Sequence, residues 1–300
     1  MKYEILMIVN PKAGRAKIEK YAEKIKEKFE DSNNYEVEIK YTTKENNATN
    51  IIQNYDKDFD ILIVCGGDGT LNEAIRGLYQ TEKKVFVGYI PVGTTNDFAK
   101  SLKVSFDVFD IAENINKYEA KKIDVGLFNE RTFNYVASVG IFSKSSYKTS
   151  SKMKNKMGRM AYLFLGAQEI FAYKSFKLKI HSGATTIEDE FLYGSISNSK
   201  YIGGFNLFKN EEVSLDDGEF EAIFVRKPSN IFKTLKLLIK ALKGNLNDEN
   251  IYYFKTSEIE VESEEETEWS IDGEYSGKVK DIKISNMNKY IEYILPTIEE

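Results

Sequence analysis

Apolar and polar residues follow two different patterns along the chain. Residues 5–9 and 61–64 are continuous apolar runs and 85–90 is nearly so, which is typical of strands buried on both faces. Residues 35–41 alternate between apolar and polar, which indicates a half-buried strand. Helical patterns lie between these strands, up to about residue 29, over 48–55 and over 71–78. The order predicts a parallel sheet with helices on both faces over residues 1–125.

The pattern changes after residue 123, where short strand-like runs and turn residues dominate. Two helical patterns, 157–173 and 231–243, interrupt them. The glutamate-rich stretch 258–268 begins by alternating with Ile259 and Val261, which favours a strand with one solvated face. A second, mainly β domain is therefore predicted, a sandwich. Its predicted strands cover 123–128, 132–139, 176–181, 190–197, 219–225, 252–261 and 279–284.

Composition narrows the class of protein. The chain has 300 residues, 42% hydrophobic and 30% charged, which is typical of a soluble protein with about two domains. A net charge of -5 argues against nucleic acid as a partner. Cys65 is the one cysteine, so an intramolecular disulfide is excluded, and we expect it to be buried. His181 is the one histidine, and we expect a structural role for it.

Targeting and membrane signals point the same way. The first residues carry an early acid and do not form a signal peptide, and no uncharged stretch approaches the ~18 residues of a spanning helix. We therefore predict a cytoplasmic protein and leave contact with a membrane surface open.

A glycine-rich loop with one carboxylate follows the strand at 61–64. Gly66, Gly67 and Gly69 surround Asp68, and a helix is predicted directly behind them. Glycines let a backbone approach a ligand closely, and a helix start offers unpaired N–H groups to an anion. The loop indicates a phosphate cradle with a carboxylate inside it, which suggests a nucleotide with magnesium.

Capping boxes are predicted at two helix starts. Thr70 with Glu73 is expected to begin the helix behind the glycine loop, and Thr42 with Glu45 is expected to precede the helix at 48–55.

Two further loops follow predicted parallel strands, at 10–14 and 93–97. Ligands of parallel sheets bind outside the carboxyl ends of the strands, so we expect these loops and the glycine loop to converge on one site. The P-loop pattern G-x-x-x-x-G-K-[ST], the dinucleotide pattern G-x-G-x-x-G and the protein-kinase motifs are absent.

Four segments, 10–14, 66–73, 91–99 and 272–274, together match the motifs of a known family. Through them the chain resembles the bacterial diacylglycerol kinase-like lipid kinases, which share a catalytic domain with sphingosine and ceramide kinases. NAD kinases and phosphofructokinases carry similar glycine-aspartate loops, but the continuation into Leu71-Asn72-Glu73 and the segment Thr94-Thr95-Asn96-Asp97 favour the lipid kinases.

The resemblance implies a fold of class α/β plus all-β. The N-terminal domain would be a Rossmann-like parallel-sheet domain that binds ATP, covering 1–125 with a return of about 288–300. The C-terminal domain, 126–287, would be a β-sandwich that takes the lipid substrate, with the active site in the cleft between them.

The resemblance also implies site residues. Asp68, Asp97 and Glu274 match acids in a network around the catalytic Mg²⁺. Asp272 is favoured as the general base, with Glu274 as its rival. ATP would be held by Asn10, Pro11, Lys12, Ala13, Gly14, Thr42, Gly66, Gly67, Asp68, Gly69, Thr70, Leu71, Asn72 and Thr94.

Each acid has a plain structural alternative. Asp-Gly at 272–273 is a common hairpin turn, and Asp97 is placed as a first-turn acid that complements a helix dipole. Either role is compatible with catalysis. The acidic turn 214–219 matches a segment that binds a structural cation in similar kinases, with the Ser214 carbonyl, Asp217 and Glu219 as ligands, and an ordinary turn is the alternative.

Two basic regions bear on membrane contact. Residues 144–159 form a lysine-rich cluster without acids, for which we favour approach to membrane or substrate. The helix at 231–243 carries lysines opposite apolar residues, for which we favour ordinary packing.

The leading hypothesis is an ATP- and Mg²⁺-dependent kinase of a membrane lipid, with diacylglycerol as the first choice and phosphatidic acid as the product, in phospholipid metabolism. It would work transiently at the inner face of the membrane, and a homodimer stays open. A kinase of a soluble acceptor such as NAD, and a non-catalytic nucleotide- or lipid-binding protein, are the alternatives.

Overall fold

The computed structural model of the protein describes residues 2–14, 18–141, 168, 170–209 and 211–296. The chain divides into two compact units, the first made of residues 1–125 and 287–300 and the second of residues 126–286. The predicted helix at 157–173 and the basic cluster at 144–159 lie largely or wholly outside the described residues. No helix of the described part is long and apolar enough to cross a membrane.

Strands and helices alternate in the first unit. Its elements are β1 (Tyr3–Val9), α1 (Glu19–Glu30), β2 (Tyr35–Tyr41), α2 (Ala48–Gln53), β3 (Ile61–Gly66), α3 (Asp68–Thr81), β4 (Phe86–Pro91), α4 (Asp97–Leu102), α5 (Asp110–Asn114) and a short 3₁₀ helix (Ile115–Lys117). The strand β5 (Tyr118–Phe128) begins in this unit and ends in the second.

The first unit is built on a parallel sheet. β1 pairs with β2 on one side and β3 on the other, and β4 lies beside β3. The apolar runs of β1 and β3 are buried along their lengths, because helices cover both faces of such a sheet. Ile5, Met7, Ile63 and Phe29 belong to the core on one face.

The end of the chain adds a strand to this sheet. The last part of β15 (Glu274–Pro296) pairs in parallel with β4, with Glu292 opposite Phe86 and Tyr293 opposite Val87. The buried carboxylate of Asp124 accepts hydrogen bonds from the side chain of Asn288 at 3.1 Å and the backbone N–H of Lys289 at 2.6 Å. Asp124 therefore fixes the returning segment where it joins the first unit.

The described part of the second unit is mainly β. Its remaining elements are β6 (Arg131–Phe133), β7 (Val136–Gly140), β8 (Phe176–Ser182), β9 (Thr185–Ser197), β10 (Tyr201–Ile202), β11 (Phe205–Asn206), β12 (Phe220–Arg226), α6 (Ile231–Leu242), β13 (Ile251–Thr256) and β14 (Glu258–Ile271).

Antiparallel pairing builds this unit. The order β13-β12-β9-β7-β14 forms one run of strands, and β8 pairs with both β9 and β14. Alternation along β14 buries Ile259 and Val261 and exposes the glutamates between them, as predicted. The core of the unit surrounds the buried Trp269, with Phe133, Phe191 and Phe224 among its members.

Two predicted strands are interrupted, each for a local reason. The strand at 132–139 breaks because the N–H groups of Asn134 and Tyr135 bond the Asp272 side chain instead of a neighbouring strand. The strand at 252–261 breaks at Ser257, where the Thr256 hydroxyl donates to the carbonyl of Glu258 at 2.6 Å and forms a turn.

The predicted capping box of Thr42 and Glu45 is wrong. Asn47 is the N-cap of α2, and its side chain accepts the N–H of Asn50 at 3.0 Å. The Thr43 hydroxyl accepts the N–H of Asn46 in the preceding turn, and the observed N-cap lies five residues after Thr42, the cap that the predicted box requires.

Candidate functional site

Three loops of the first unit meet at the carboxyl ends of β1, β3 and β4. Asn10 after β1 donates from its side-chain amide to the Thr70 hydroxyl at 2.9 Å. The N–H of Val92 after β4 donates to the carbonyl of Gly66 at 2.9 Å. The expected convergence of the segments 10–14, 66–70 and 93–97 is therefore present within this unit.

Glycines, which have no side chain, let the backbones of these loops contact one another. A Cβ on Gly93 would lie 2.6 Å from the Cα of Gly67, a contact that would force the two backbones apart. A Cβ on Gly14 would lie 2.2 Å from the carbonyl oxygen of Val92, and Gly14 also has a positive φ of 60°. Glycine at these positions is thus required by backbone-to-backbone packing.

The capping box predicted for Thr70 and Glu73 is wrong. Helix α3 begins at Asp68, three residues before the predicted start at Leu71, with Gly67 as an N-cap that lacks a side-chain bond. The Thr70 hydroxyl accepts the Asn10 amide instead, and the Glu73 carboxylate accepts the N–H of Ala48 at 3.2 Å. Both side chains join different segments of the unit, and the first turn of α3 keeps its N–H groups directed at the loop.

Asp68 links two of the loops. One of its carboxylate oxygens accepts the N–H of Asp97 at 3.0 Å and the other accepts that of Phe98 at 3.4 Å, at the start of α4. Burial raises the pKa of Asp68, and the neighbouring Asp97 carboxylate raises it further, while the two N–H bonds oppose the rise.

Asp97 is buried in the first turn of α4, as its structural alternative predicts. Its carboxylate accepts a bond from the ammonium of Lys100 at 3.0 Å, one turn along the same helix. Asp68 and Asp97 thus place two carboxylates side by side at the edge of the sheet, next to one lysine.

Asn96 belongs to the predicted loop 93–97, but the sequence reasoning gave it no role of its own. It adopts a left-handed conformation, with φ of 48°, and its side-chain amide donates to the carbonyl of Gly93 at 2.9 Å. Its buried Oδ1 has no hydrogen-bond partner among the described residues. Asparagine tolerates left-handed φ better than most residues, so an asparagine directly before a helix was the available signal.

The other predicted nucleotide residues occupy different environments. Pro11, Lys12 and Ala13 form a turn in which the N–H of Lys12 donates to the side chain of Asn10 at 3.0 Å. The buried Thr42 follows β2, and its N–H donates to the carbonyl of Val9 at 2.9 Å.

Residues on or near the two helix starts differ in exposure. The Asn72 side chain turns along α3 to accept from the guanidinium of Arg76 at 2.8 Å. Leu71 is fully buried in the core, and Thr94 is exposed. Gly69 lies in the first turn of α3, within the loop surface.

Asp272 and Gly273 form the two-residue turn between β14 and β15. Both have positive φ, 49° and 80°, and Ile271 pairs with Glu274 across the turn. The hairpin alternative is therefore correct for the backbone.

The side chain of Asp272 does more than turn the chain. Its buried carboxylate accepts three backbone N–H groups, from Asn134 at 2.8 Å and from Tyr135 and Val136 at 3.0 Å each. Three N–H donors stabilise a negative charge and fix the orientation of the carboxylate. Glu274 next to it is exposed.

Asn134 is a second residue that the sequence reasoning missed. Its side chain is only 1% exposed, and neither amide atom has a hydrogen-bond partner among the described residues. Its own N–H bonds Asp272, so an unpaired buried amide stands beside the candidate base. A single asparagine inside the predicted strand 132–139 carried no signal of this.

The acidic turn at 214–219 contains two hydrogen bonds of its own. Ser214 donates from its hydroxyl to Asp216 at 2.6 Å, and the N–H of Glu219 donates to Asp217 at 3.1 Å. The ammonium of Lys255 lies 3.4 Å from the other oxygen of Asp217. The predicted cation ligand Asp217 thus has a protein cation beside it, and the cation site at this turn stays a prediction.

Within the described ranges, no three His, Cys, Asp or Glu side chains lie together as a metal cluster. The two carboxylates of Asp68 and Asp97 are oxygen donors, the ligand type that Mg²⁺ prefers. Because Mg²⁺ usually keeps several waters and takes phosphate oxygens, two carboxylates suit it without a third protein ligand.

Comparison with known proteins identifies the family. Residues 4–128 match the diacylglycerol kinase catalytic domain. The chain is 30% identical to a diacylglycerol kinase of Bacillus subtilis over 293 residues, which cover 97% of this chain and 95% of the relative. The chain belongs to the bacterial diacylglycerol kinase family. The family expected from the four sequence segments is confirmed.

Further matches agree with this family. A diacylglycerol kinase of Staphylococcus haemolyticus is 30% identical over 292 residues, covering 97% of this chain and 87% of the relative. The crystal structure of a diacylglycerol kinase from Bacillus anthracis superimposes with a TM-score of 0.77 at 28% identity, covering 98% of both chains. Residues 136–285 match the YegS C-terminal NAD kinase beta sandwich-like domain, which confirms the predicted β-sandwich class of the second domain.

Proposed function

We propose that this member of the family is an ATP-dependent lipid kinase that phosphorylates diacylglycerol to phosphatidic acid. One observation carries the proposal: within the segment that matches the diacylglycerol kinase catalytic domain, Asp68 joins the two glycine loops by accepting N–H groups at the start of α4. Such a closed pair of loops is a preformed surface for phosphate with a carboxylate at its centre.

ATP is the proposed phosphoryl donor. The N–H groups in the first turn of α3 precede the first intrahelical bond, from Leu71 to Gly67, so they are available to phosphate oxygens. Asn10 and Thr70 border the same surface. We assign nucleotide contacts to the loops 10–14 and 66–70, together with Thr42, Asn72 and Thr94, and limit Leu71 to packing.

Mg²⁺ is the proposed metal, held near Asp68 and Asp97, with Glu274 as the third acid of the network. When bound, it would neutralise charge on the phosphates. Both Asp68 oxygens already accept N–H groups, so Asp68 mainly positions Asp97 and the loop. Lys100 adds a fixed positive charge beside Asp97.

The lipid hydroxyl is the proposed acceptor. Its oxygen forms a bond to the γ-phosphorus, the bond from that phosphorus to the β–γ bridging oxygen breaks, and ADP leaves. The hydroxyl proton passes to a carboxylate, which we assign to Asp272 with Glu274 as the rival. Three backbone N–H bonds hold Asp272 in one orientation, which supports its assignment because a base must be positioned before it can act.

The proposal divides the work between the two units. The first would bind ATP on a Rossmann-like sheet, which its parallel pairing supports, and the second would bind the lipid. The enzyme would act in phospholipid metabolism at the inner face of the membrane.

The test is a phosphotransfer assay with the full chain and γ-labelled ATP. We expect label in phosphatidic acid when diacylglycerol is supplied in mixed micelles, and loss of that label when a chelator removes divalent metal. Transfer to NAD without lipid would replace the proposal with a soluble-acceptor kinase. Binding of ATP without transfer to any lipid would replace it with a non-catalytic protein.

A further inference from the structure

Helix α6 is incompletely buried for its composition. Eight of its twelve residues are Ile, Leu, Phe or Ala, yet among those described only Leu237 is buried. Phe232 is 72% exposed, which is the largest exposure of any described large apolar side chain. A soluble core helix normally places its apolar stripe against the protein, so α6 presents apolar surface that the described residues do not cover.

The uncovered surface has a defined chemistry. One stripe of α6 lines an open groove of about 350 Å³ and joins three apolar to three basic side chains, Phe232, Leu235 and Ile239 with Lys236, Lys240 and Lys243. These positions recur every three or four residues, which places them on one side of the helix.

The charge of this stripe is one-sided. No acidic residue occurs between positions 231 and 247. Lys240 pairs with Asp248 at 2.8 Å, at the edge of the helix. Lys233, outside the stripe, pairs with Glu249 at 3.0 Å, and the described residues form no ion pair with Lys236 or Lys243. The lining of the groove therefore combines apolar side chains with lysines and includes no acidic residue.

We propose that this stripe of α6 is a docking surface for an anionic phospholipid bilayer. Apolar side chains in a groove bordered by lysines are complementary to an interface where acyl chains meet negative headgroups. The inference deepens the proposed function by naming the surface that meets the membrane, and it departs from the ordinary packing that the sequence favoured for this helix. It needs no ATP, so it is tested apart from catalysis.

The first test is co-sedimentation of the full chain, without ATP, with vesicles of phosphatidylcholine mixed with phosphatidylglycerol. We expect binding to these vesicles and little to phosphatidylcholine alone. Each lysine near an anionic surface contributes about fivefold to the affinity for vesicles, so the double variant Lys236→Gln/Lys243→Gln should bind them roughly 25-fold more weakly. The matched control Lys20→Gln/Lys122→Gln, at two exposed lysines of the first unit, should change binding little.

The second test asks whether the apolar stripe enters the bilayer. Phe232→Trp should show fluorescence that brominated lipids quench, whereas the one native tryptophan, Trp269, is buried and should give a constant background. Phe106→Trp, at another exposed phenylalanine, is the control and should stay unquenched.

Several outcomes would overturn the proposal. The first is equal weakening of vesicle binding by the two double lysine variants, and the second is equal quenching of tryptophan at positions 106 and 232. The third is no vesicle binding at all. The fourth is a dimer of the protein that Phe232→Ser dissociates, which would make the groove a self-association surface. Activity separates the two proposals. If the docking proposal is right, Phe232→Ser should still phosphorylate a dispersed short-chain diacylglycerol but should lose activity on diacylglycerol in vesicles. If the proposed function is wrong, the native protein should phosphorylate neither form of the lipid, and the vesicle-binding tests are unaffected.

Discussion

Asp68 Oδ2 accepts the backbone N–H of Asp97 at 3.0 Å, across 29 positions of the chain. This bond makes the glycine loop and the start of α4 one structure. Asp68 is thus primarily a positioning residue. It would affect nucleotide binding mainly by holding the two loops in place.

Replacing Asp68 should weaken nucleotide binding and stability together. Asp68→Asn keeps one acceptor and loses the charge and the second, so we expect a loss of about 1–3 kcal/mol of unfolding free energy and a clear fall in affinity for a non-hydrolysable ATP analogue. Calorimetry and urea denaturation measure both. Asp56→Asn, at an exposed acid of the same unit, is the control. Unchanged affinity in Asp68→Asn would contradict the linking role.

Gly93→Ala should separate the two glycine loops. Its Cβ would meet the Cα of Gly67 at 2.6 Å, and backbone cannot move aside as a flexible side chain can. We expect about 1–3 kcal/mol of destabilisation and a larger relative loss of ATP affinity.

The same change at Gly183 provides the comparison. A Cβ there meets nothing within 4 Å, so any cost of its left-handed φ stays within the turn between β8 and β9. ATP affinity measured by titration should be unchanged in Gly183→Ala. If Gly93→Ala bound ATP as tightly as the native protein, the contact between the two loops would not shape the nucleotide site.

Asp272→Asn and Glu274→Gln should distinguish the two candidate bases. Loss of a general base costs about 10²–10⁴-fold in kcat, with ATP affinity retained. In Asp272→Asn the new NH₂ group faces at least one of the three backbone N–H donors, and two donors cannot bond each other. We therefore expect the unfolding free energy to fall by about 1–3 kcal/mol in that variant alone.

Kinetics and unfolding are measured on the same preparations of these two variants. A folded Asp272→Asn with normal turnover would remove Asp272 from proton transfer. A large kcat loss in Glu274→Gln with normal stability would assign the base to Glu274.

Glu221 should make stability fall as pH rises. It is 1% exposed on β12, and Lys255 Nζ lies 3.6 Å from its carboxylate. Burial raises the pKa of Glu221 to about 7, with the Lys255 ammonium opposing the rise. Between its ordinary value and about pH 7 the folded protein holds a proton that the unfolded chain has released, so stability is present at low pH and lost through this window.

Glu221→Gln should remove that pH dependence. We expect equal stability of variant and native protein near pH 5 and an advantage for the variant of up to about 3 kcal/mol near pH 8. Urea denaturation at the two pH values tests this, with the exposed Glu188→Gln as control. A variant less stable than the native protein at pH 8 would show that Glu221 is stabilised in its charged form.

Much of this fold follows from local pattern. The apolar runs at 5–9 and 61–64 are strands, the alternation after residue 258 is a strand with one wet face, and Asp272-Gly273 is a hairpin turn. These features depend on the side-chain period and on backbone preferences within a few residues, which is information that the sequence carries directly.

Local rules failed where a side chain had a better partner far away. Thr70 and Glu73 have capping-box spacing, but their polar atoms bond Asn10 and Ala48. A capping bond contributes about 1 kcal/mol, which a bond to a distant segment that also packs can match. The spacing alone could not show which partner is chosen.

The sequence by itself determined the family, the glycine loop and the alternation of strands and helices in the first unit. Tertiary structure alone decided that Asp68 accepts hydrogen bonds from the start of α4 and that Asp272 accepts the N–H groups of residues 134–136. It also decided that Asn96 and Asn134 are buried beside these two carboxylates. The physical reason is that a buried polar group must find a partner, and its partner is set by which backbones the completed sheet brings within about 3 Å.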